Sequence, residues 1–287
     1  QAVAVRIGAG SDAAALLTKL AKDMQQANVV SLGAEGPLEG IVRPGAFLPG
    51  TAAVGLAAVA DCPSAHPNAD SPEMLHAVWA PDISQLEGVA ASVASVVAST
   101  TSPLTVHIVV RQKFLGGFKE RFGARGECRS TVTTGGVLIR IYGIDAQLGQ
   151  RPVAQTLLKQ RGPENFARFY MHLVLERTIV IYLDADAIVQ ADLGQLRKEL
   201  KASGKTIGFV NRTSSAKMEQ LVGSEKALRV CGLEVPEMAK LMSATAYDVG
   251  VYAVDLQRWA DAGVSRRVEE LVAQHTACGG KMWIGGS

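Results

Sequence analysis

No two cysteines in this chain are spaced as CxxC; Cys62, Cys128, Cys231 and Cys278 lie far apart. That excludes the usual signature of a zinc site or a dithiol redox centre. Free, partly buried thiols are the expectation, although in a lumenal protein the four could pair in ways the sequence does not choose among. An excess of charge is also lacking. Lys and Arg total 29 against 27 Asp and Glu, a formal net of +2. No global field therefore draws the chain to nucleic acid or an anionic membrane, and an acidic partner has to be met locally. Missing too is an unbroken apolar run of the ~20 residues a membrane span requires. Residues 44–60 are broken by Pro and Gly, and residues 88–106 are rich in Ser and Thr with Pro103 inside. The chain opens on Gln1 and closes on WIGGS in mid-pattern. It reads as a fragment at both ends, in which an upstream signal or anchor would be invisible.

What is present suits a globular protein: 287 residues, 48% hydrophobic and 20% charged. Residues 1–50 read as an N-terminal extension or upstream remnant, with a strand (AVAVRI), a glycine turn, a helix (AAALLTKLAKDM) and a second strand (NVVSL). Gly8, Gly10 and Ala13 satisfy the dinucleotide pattern GxGxxA, but Arg6 interrupts the strand and no acid follows the second strand until Glu35. An ordinary glycine turn is the better reading.

Residues 51–287 form the principal domain. TAAVGLAAVADC is an apolar run of strand length that ends in Asp61. A helix is expected from Ser84 to Ala98, opened by a Ser84/Glu87 capping box and striped by Leu86, Val89, Ala90, Val93, Val96 and Val97. LTVHIVV, GGVLIRIYGID, TIVIYLDA and TIGFV read as strands. Between them, Phe114, Phe118 and Phe122 recur at helical spacing, and PENFARFYMHLVL predicts a helix that buries Phe166, Phe169, Tyr170 and Leu173. LGQLRKEL predicts another helix, capped by Asp192 and stopped by Gly204. This alternation predicts an α/β fold, a mostly parallel sheet with helices on both faces. Ligands collect at the carboxyl ends of such strands, where Asp61, Asp184 and Asp186 fall.

In extended backbone, Asp184 and Asp186 point to the same side and could share one cation. Two carboxylates that close repel unless neutralised. A hard divalent ion, Mn2+ or Mg2+, relieves the repulsion and keeps open positions for substrate phosphates, so a diphosphate is the expected ligand.

The ordered set YLDADAIVQADL, preceded by ARFY and followed by YDVGVYAVDLQRW, resembles the family 8 glycosyltransferases, retaining enzymes that use nucleotide sugars and include galacturonosyltransferase-like and glycogenin-like members. The resemblance covers about residue 53 onward. It implies an A-type glycosyltransferase fold with a Rossmann-like nucleotide-binding sheet, a UDP-sugar donor, a glycan, lipid or protein acceptor, and a manganese or magnesium cofactor. By the same resemblance, Asp184 and Asp186 match the metal pair, with Asp184 also near the nucleotide ribose. Arg168 matches the arginine that reaches the donor sugar and phosphates. Asp61 matches the acid after the first strand, which contacts the uracil. Gly250 and Asp248 lie in the donor-binding segment FNAGV, where Asp248 replaces the family's Asn and is the one in-sequence candidate for a catalytic group beside the sugar. A carboxylate accepts hydrogen bonds but donates none, so this exchange bears on donor choice. The family's third metal ligand is a histidine in a later segment. His275, on the expected helix after Trp259, does not match it, and neither do His66, His76, His107 or His172, which read as ordinary core or surface histidines.

Two other readings compete. LDADAIV also fits the haloacid-dehalogenase pattern, in which Asp184 would be the nucleophile of a phosphatase. A degenerate, non-catalytic donor-binding domain would also carry these motifs. The sequon Asn211-Arg212-Thr213 points toward the Golgi or another secretory lumen, with the cytoplasm as the alternative.

Overall fold

The structure, a computed structural model, describes residues 4–6, 74–124, 130–132, 137–148, 164–175, 178–209, 217–232, 242–244 and 249–282. The strands are β1 (Ala4–Arg6), β2 (Leu75–Trp79), β3 (Leu104–Val110), β4 (Ser130–Val132), β5 (Leu138–Gly143), β6 (Ile179–Leu183), β7 (Ala187–Val189), β8 (Ile207–Phe209) and β9 (Val251–Asp255). The helices are α1 (Leu86–Ser99), α2 (Leu115–Arg121), α3 (Asp145–Leu148), α4 (Glu164–Ala167), α5 (Gly194–Ser203), α6 (Glu225–Val230), α7 (Leu256–Asp261) and α8 (Val264–Ala277).

Seven strands form one sheet in the order β4-β5-β3-β2-β6-β9-β8, and β1 pairs antiparallel with β7 outside it. β5, β3, β2 and β6 are parallel; β4 and β9 run antiparallel to their neighbours. Along the chain the sheet grows from β2 to β3 to β5 on one side and then returns to lay β6 on the other. The crevice between β2 and β6 is therefore a topological switch point.

Both faces of the central strands are buried, so their sequences lack a polar side. On one face Trp79, Ile108, Ile141, Ile181 and Leu183 pack under Val89, Val93 and Val96 of α1, Phe118 of α2 and Leu196 of α5. On the other, Val78, Val109, Val180, Tyr182 and Val254 pack under Leu148, Ala167, Tyr170, Leu256 and Trp259. This is the expected α/β sheet with helices on both faces. Among the described residues, no helix is long and apolar enough to cross a membrane.

The strands expected at LTVHIVV, GGVLIRIYGID, TIVIYLDA and TIGFV form within those stretches. Phe118 and Phe122 are fully buried and Phe114 packs beside them. Asp192 accepts from the Gly194 N–H, and Gly204 ends α5 with φ 64°. Of the strand expected at the chain start, Ala4–Arg6 is described. TAAVGLAAVADC, NVVSL, the GxGxxA turn and the sequon lie outside the described residues.

Four expectations are corrected. The helix near Ser84 is opened by Asp82: its carboxylate accepts from Ser84 N at 2.7 Å, and its own N–H donates to Gln85 Oε1 at 3.0 Å. The box closes two residues early, through a 3-10 turn at Ile83–Gln85, and Glu87 turns outward to Arg121. PENFARFYMHLVL is not one helix. It breaks after Ala167 into turns and a 3-10 segment, Met171–Leu173, held by i→i+3 bonds from Tyr170 N to Ala167 O and from Leu173 N to Tyr170 O, while the Phe169 carbonyl accepts from Ser265 Oγ at 2.6 Å. Leu173 is left exposed. Cys231 and Cys278 are a disulfide rather than free thiols. The backbone after Leu183 is a turn rather than extended strand, closed by Ala187 N donating to Asp184 O at 3.0 Å.

Candidate active site

Asp184 leaves the carboxyl end of β6 beside the switch point, and its own N–H donates to Gly250 O at 2.7 Å. Gly250, just ahead of β9, thus sits against the first acid of the pair. The turn through Ala185 brings Asp186 out next, and both aspartates are part-exposed. The carboxylates therefore share a turn at the mouth of the crevice, not one face of a strand.

Beneath Asp184 lies an aromatic floor. Tyr182, two residues back and on the same face, donates its hydroxyl to Asp184 Oδ1 at 3.0 Å and stacks on Tyr252 of β9 at 4.8 Å between ring centroids. Burial raises the Tyr182 phenol well above its ordinary pKa, and Tyr252 is raised for the same first reason. Tyr182 remains a neutral donor.

Arg168 comes from the turn that follows α4. Its guanidinium lies 4.9 Å over the Tyr182 ring, and Nη2 is 3.5 Å from Asp184 Oδ1. Burial disfavours its charge, but the neighbouring Tyr182 and Asp184 outweigh burial and raise the pKa further. Nε of Arg168 is buried and has no hydrogen-bond partner among the described residues. A fixed cation with a spare donor beside a carboxylate turn is suited to an oxyanion such as a phosphate.

The segment that carries Arg168 is braced from the far end of the fold. Trp259 Nε1 donates to Ser265 Oγ, Ser265 Oγ donates to Phe169 O, and the Tyr170 hydroxyl donates to Glu269 Oε1 at 3.0 Å.

Arg168, Asp184 and Gly250 are brought together; Asp186 follows on the same turn. Asp61 and Asp248 lie outside the described residues. In the described sheet, the acid that follows the first parallel strand is Asp82, at the carboxyl end of β2 next to β6. Sequence reasoning missed it because LHAVWA was not read as a strand. The signal was there in MLHAVWAPD, an apolar run stopped by Pro and Asp.

His76 and His107 are core residues. His76 Nδ1 is 2.9 Å from His107 Nε2, and His107 Nδ1 is 3.1 Å from the Tyr142 hydroxyl, a polar ladder across β2, β3 and β5. His275 lies on α8, as expected, and away from the aspartate turn in sequence and element. Among the described residues, no group of three His, Cys, Asp or Glu could by itself hold a metal ion.

Glycosyltransferase 8 domain-containing protein 2 of Bos taurus is 28% identical over 116 residues, which cover 38% of this chain and 33% of that protein. Probable galacturonosyltransferase-like 10 of Arabidopsis thaliana is 23% identical over 207 residues, 69% of this chain and 52% of that one. The chain thus spans a third to a half of these relatives' length. Among solved structures, mouse xyloside xylosyltransferase 1 in its apo form matches with 13% identity and a TM-score of 0.47, covering 71% of this chain and 76% of that one. Galactosyltransferase LgtC with donor and acceptor sugar analogues matches with 15% identity and a TM-score of 0.42, covering 72% and 67%. The family description "Glycosyl transferase family 8" matches residues 82–284, beginning at Asp82 and after Asp61. The phosphatase reading of the same acidic motif thereby loses its ground, and the expected A-type sheet has its family: the chain belongs to glycosyl transferase family 8.

Proposed function

We propose that this chain is the catalytic domain of a metal-dependent retaining glycosyltransferase that moves a sugar from a UDP-sugar to an acceptor hydroxyl on a glycan, lipid or protein. The observation that carries the reading is the Asp184–Ala185–Asp186 turn at the switch point with Arg168 held across it. The donor set suits Mn2+ or Mg2+: two part-exposed carboxylates, with phosphate and water oxygens left to complete the shell. Bound there, the ion would supply Lewis-acid stabilisation of the negative charge that grows on the departing diphosphate.

The chain's own groups do the rest. Tyr182 fixes the Asp184 carboxylate by its hydroxyl and stays neutral. Arg168 keeps its positive charge under burial beside the aspartate turn, where a preorganised cation would stabilise charge on the donor phosphates. Gly250 holds the Asp184 N–H through its carbonyl and thereby sets the depth of the turn. Asp82 takes the position, after the first parallel strand, that the resemblance gives to the acid contacting uracil and that the sequence reading assigned to Asp61. Asp248, in place of an amide, would bring a negative charge beside the sugar and select the donor. Retention is consistent with attack on the same face from which UDP leaves, and no protein nucleophile is assigned. The sequon and the Cys231–Cys278 disulfide both favour a secretory lumen such as the Golgi, an oxidising compartment.

The test is UDP release from a panel of UDP-sugars with Mn2+, with the anomeric configuration of the product read by NMR. Turnover that is retaining and abolished by EDTA supports the proposal. Binding of UDP-sugar without turnover under every donor and acceptor tried would instead identify a donor-binding scaffold.

A further inference from the structure

Helix α1 carries none of the residues assigned to the donor or the ion, yet it is built around the aspartate turn. At its first full turn, Gly88 lies so close to the acidic loop that a Cβ there would stand 2.9 Å from the carbonyl oxygen of Ala185, the residue between the two aspartates. Real Cβ atoms do not approach backbone oxygen that closely, so either the helix or the turn would have to move. Two turns later α1 grips the strand that leaves the motif. Val189 N donates to Ser95 Oγ at 2.9 Å, and Ser99 Oγ donates to Val189 O at 2.9 Å. Both backbone groups of Val189 thus end on α1 side chains.

The grip is anchored in turn. Ser95 Oγ donates to Ser92 O at 2.7 Å, and Ser92 Oγ accepts from Trp79 Nε1 at 3.0 Å, at the buried end of β2. Ser92 and Ser95 are themselves buried, so these hydroxyls have no water to turn to instead. One helix therefore fixes the motif at both ends: close backbone approach before Asp186, and paired hydrogen bonds after it.

We propose that α1 is the strut that sets the geometry of the Asp184–Ala185–Asp186 turn, with Gly88 and Ser95 as positioning residues for the divalent-ion site. The inference rests on the metal-dependent reading above. Partners that orient ligands without touching the ion typically change metal affinity ten- to a hundredfold when removed. Gly88 lies inside a helix, where alanine is intrinsically the better residue, so a loss of ion binding in Gly88→Ala cannot be put down to weakened helix formation.

The test measures Mn2+ affinity, by electron paramagnetic resonance of the free ion, and thermal unfolding for the parent, Gly88→Ala, Ser95→Ala and Asp186→Asn. Gly116→Ala serves as control, since a Cβ at that helical glycine meets nothing within 4 Å. Amide exchange at Val189 is followed in the same proteins without metal. The strut predicts at least about tenfold weaker Mn2+ binding in Gly88→Ala and Ser95→Ala, faster exchange at Val189 in Ser95→Ala, and parental affinity in Gly116→Ala. Parental affinity in Gly88→Ala and Ser95→Ala, with Asp186→Asn weakened, overturns the strut and leaves the metal site standing. Parental affinity in Asp186→Asn overturns the metal site and the strut with it.

Discussion

At the scale of single residues, the site depends on holding unlike charges together at the carboxyl end of β6. Arg168 is kept cationic by Tyr182 and Asp184 against its burial, and its planar group lies over the Tyr182 ring. A lysine would keep the charge but lose the stacking and the spare N–H donors. Arg168→Lys is therefore expected to fold like the parent and to lose about a hundredfold in kcat, the usual scale for one preorganised donor. Unchanged kcat in a steady-state assay would remove Arg168 from the chemistry.

His107 behaves oppositely. Burial, then the neighbouring His76 and Arg140, lower its pKa well below the ordinary histidine value, so it is neutral in the fold. The unfolded chain takes up a proton near pH ~6.5 that the fold resists. Stability should therefore be level above that pH and fall as the pH drops below it. Urea unfolding at pH 7.5 and 5.5 checks this, and the decline should be smaller in His107→Gln.

At the scale of elements, most strands were readable because burial on both faces writes a continuous apolar run, as in LTVHIVV and TIVIYL. β2 was not, because the longer apolar run TAAVGLAAVADC upstream took the place of first strand, whereas the pairing that sets LHAVW between β3 and β6 is tertiary and no local pattern displays it. The helix expected over PENFARFYMHLVL failed as well. Its periodicity is real, but the segment closes on i→i+3 bonds, while Ser265, from the distant α8, bonds the Phe169 carbonyl. That break places Arg168 on a turn above Tyr182 rather than on a continuous helix. The acidic pair itself was legible, whereas the turn that carries it was not, since the hydrogen bond from Asp184 N to Gly250 joins segments 66 residues apart by number (250 − 184). Asp82 should have two separable roles. Asp82→Ala removes the helix cap and is expected to lower stability by about 1 kcal/mol, whereas Asp82→Asn keeps the cap and the stability. If Asp82 also faces the donor base, Asp82→Asn still changes the KM for the UDP-sugar.

At the scale of the whole molecule, one sheet supplies the scaffold and a disulfide clamp between α6 and α8 adds to it. The Cys231–Cys278 disulfide joins the end of α6 to the end of α8 across 47 residues and packs with Leu228 and Met282. Gly223 N donates to Met282 O at 2.9 Å in the same cluster. Closing a loop of that length is worth about 2–4 kcal/mol. A Cys231→Ser, Cys278→Ser protein should unfold correspondingly earlier in denaturant and lose the parent's sensitivity to dithiothreitol. Because α8 also braces the Arg168 segment through Ser265 and Glu269, reduction should weaken activity before the central sheet unfolds.

The most direct test of the whole account is a calorimetric titration of UDP into the chain with Mn2+ and again with EDTA, for the parent and for Asp186→Asn. The account predicts saturable binding to the parent that weakens at least about tenfold on metal removal and on substitution alike. Equal UDP affinity in all of these conditions would contradict it.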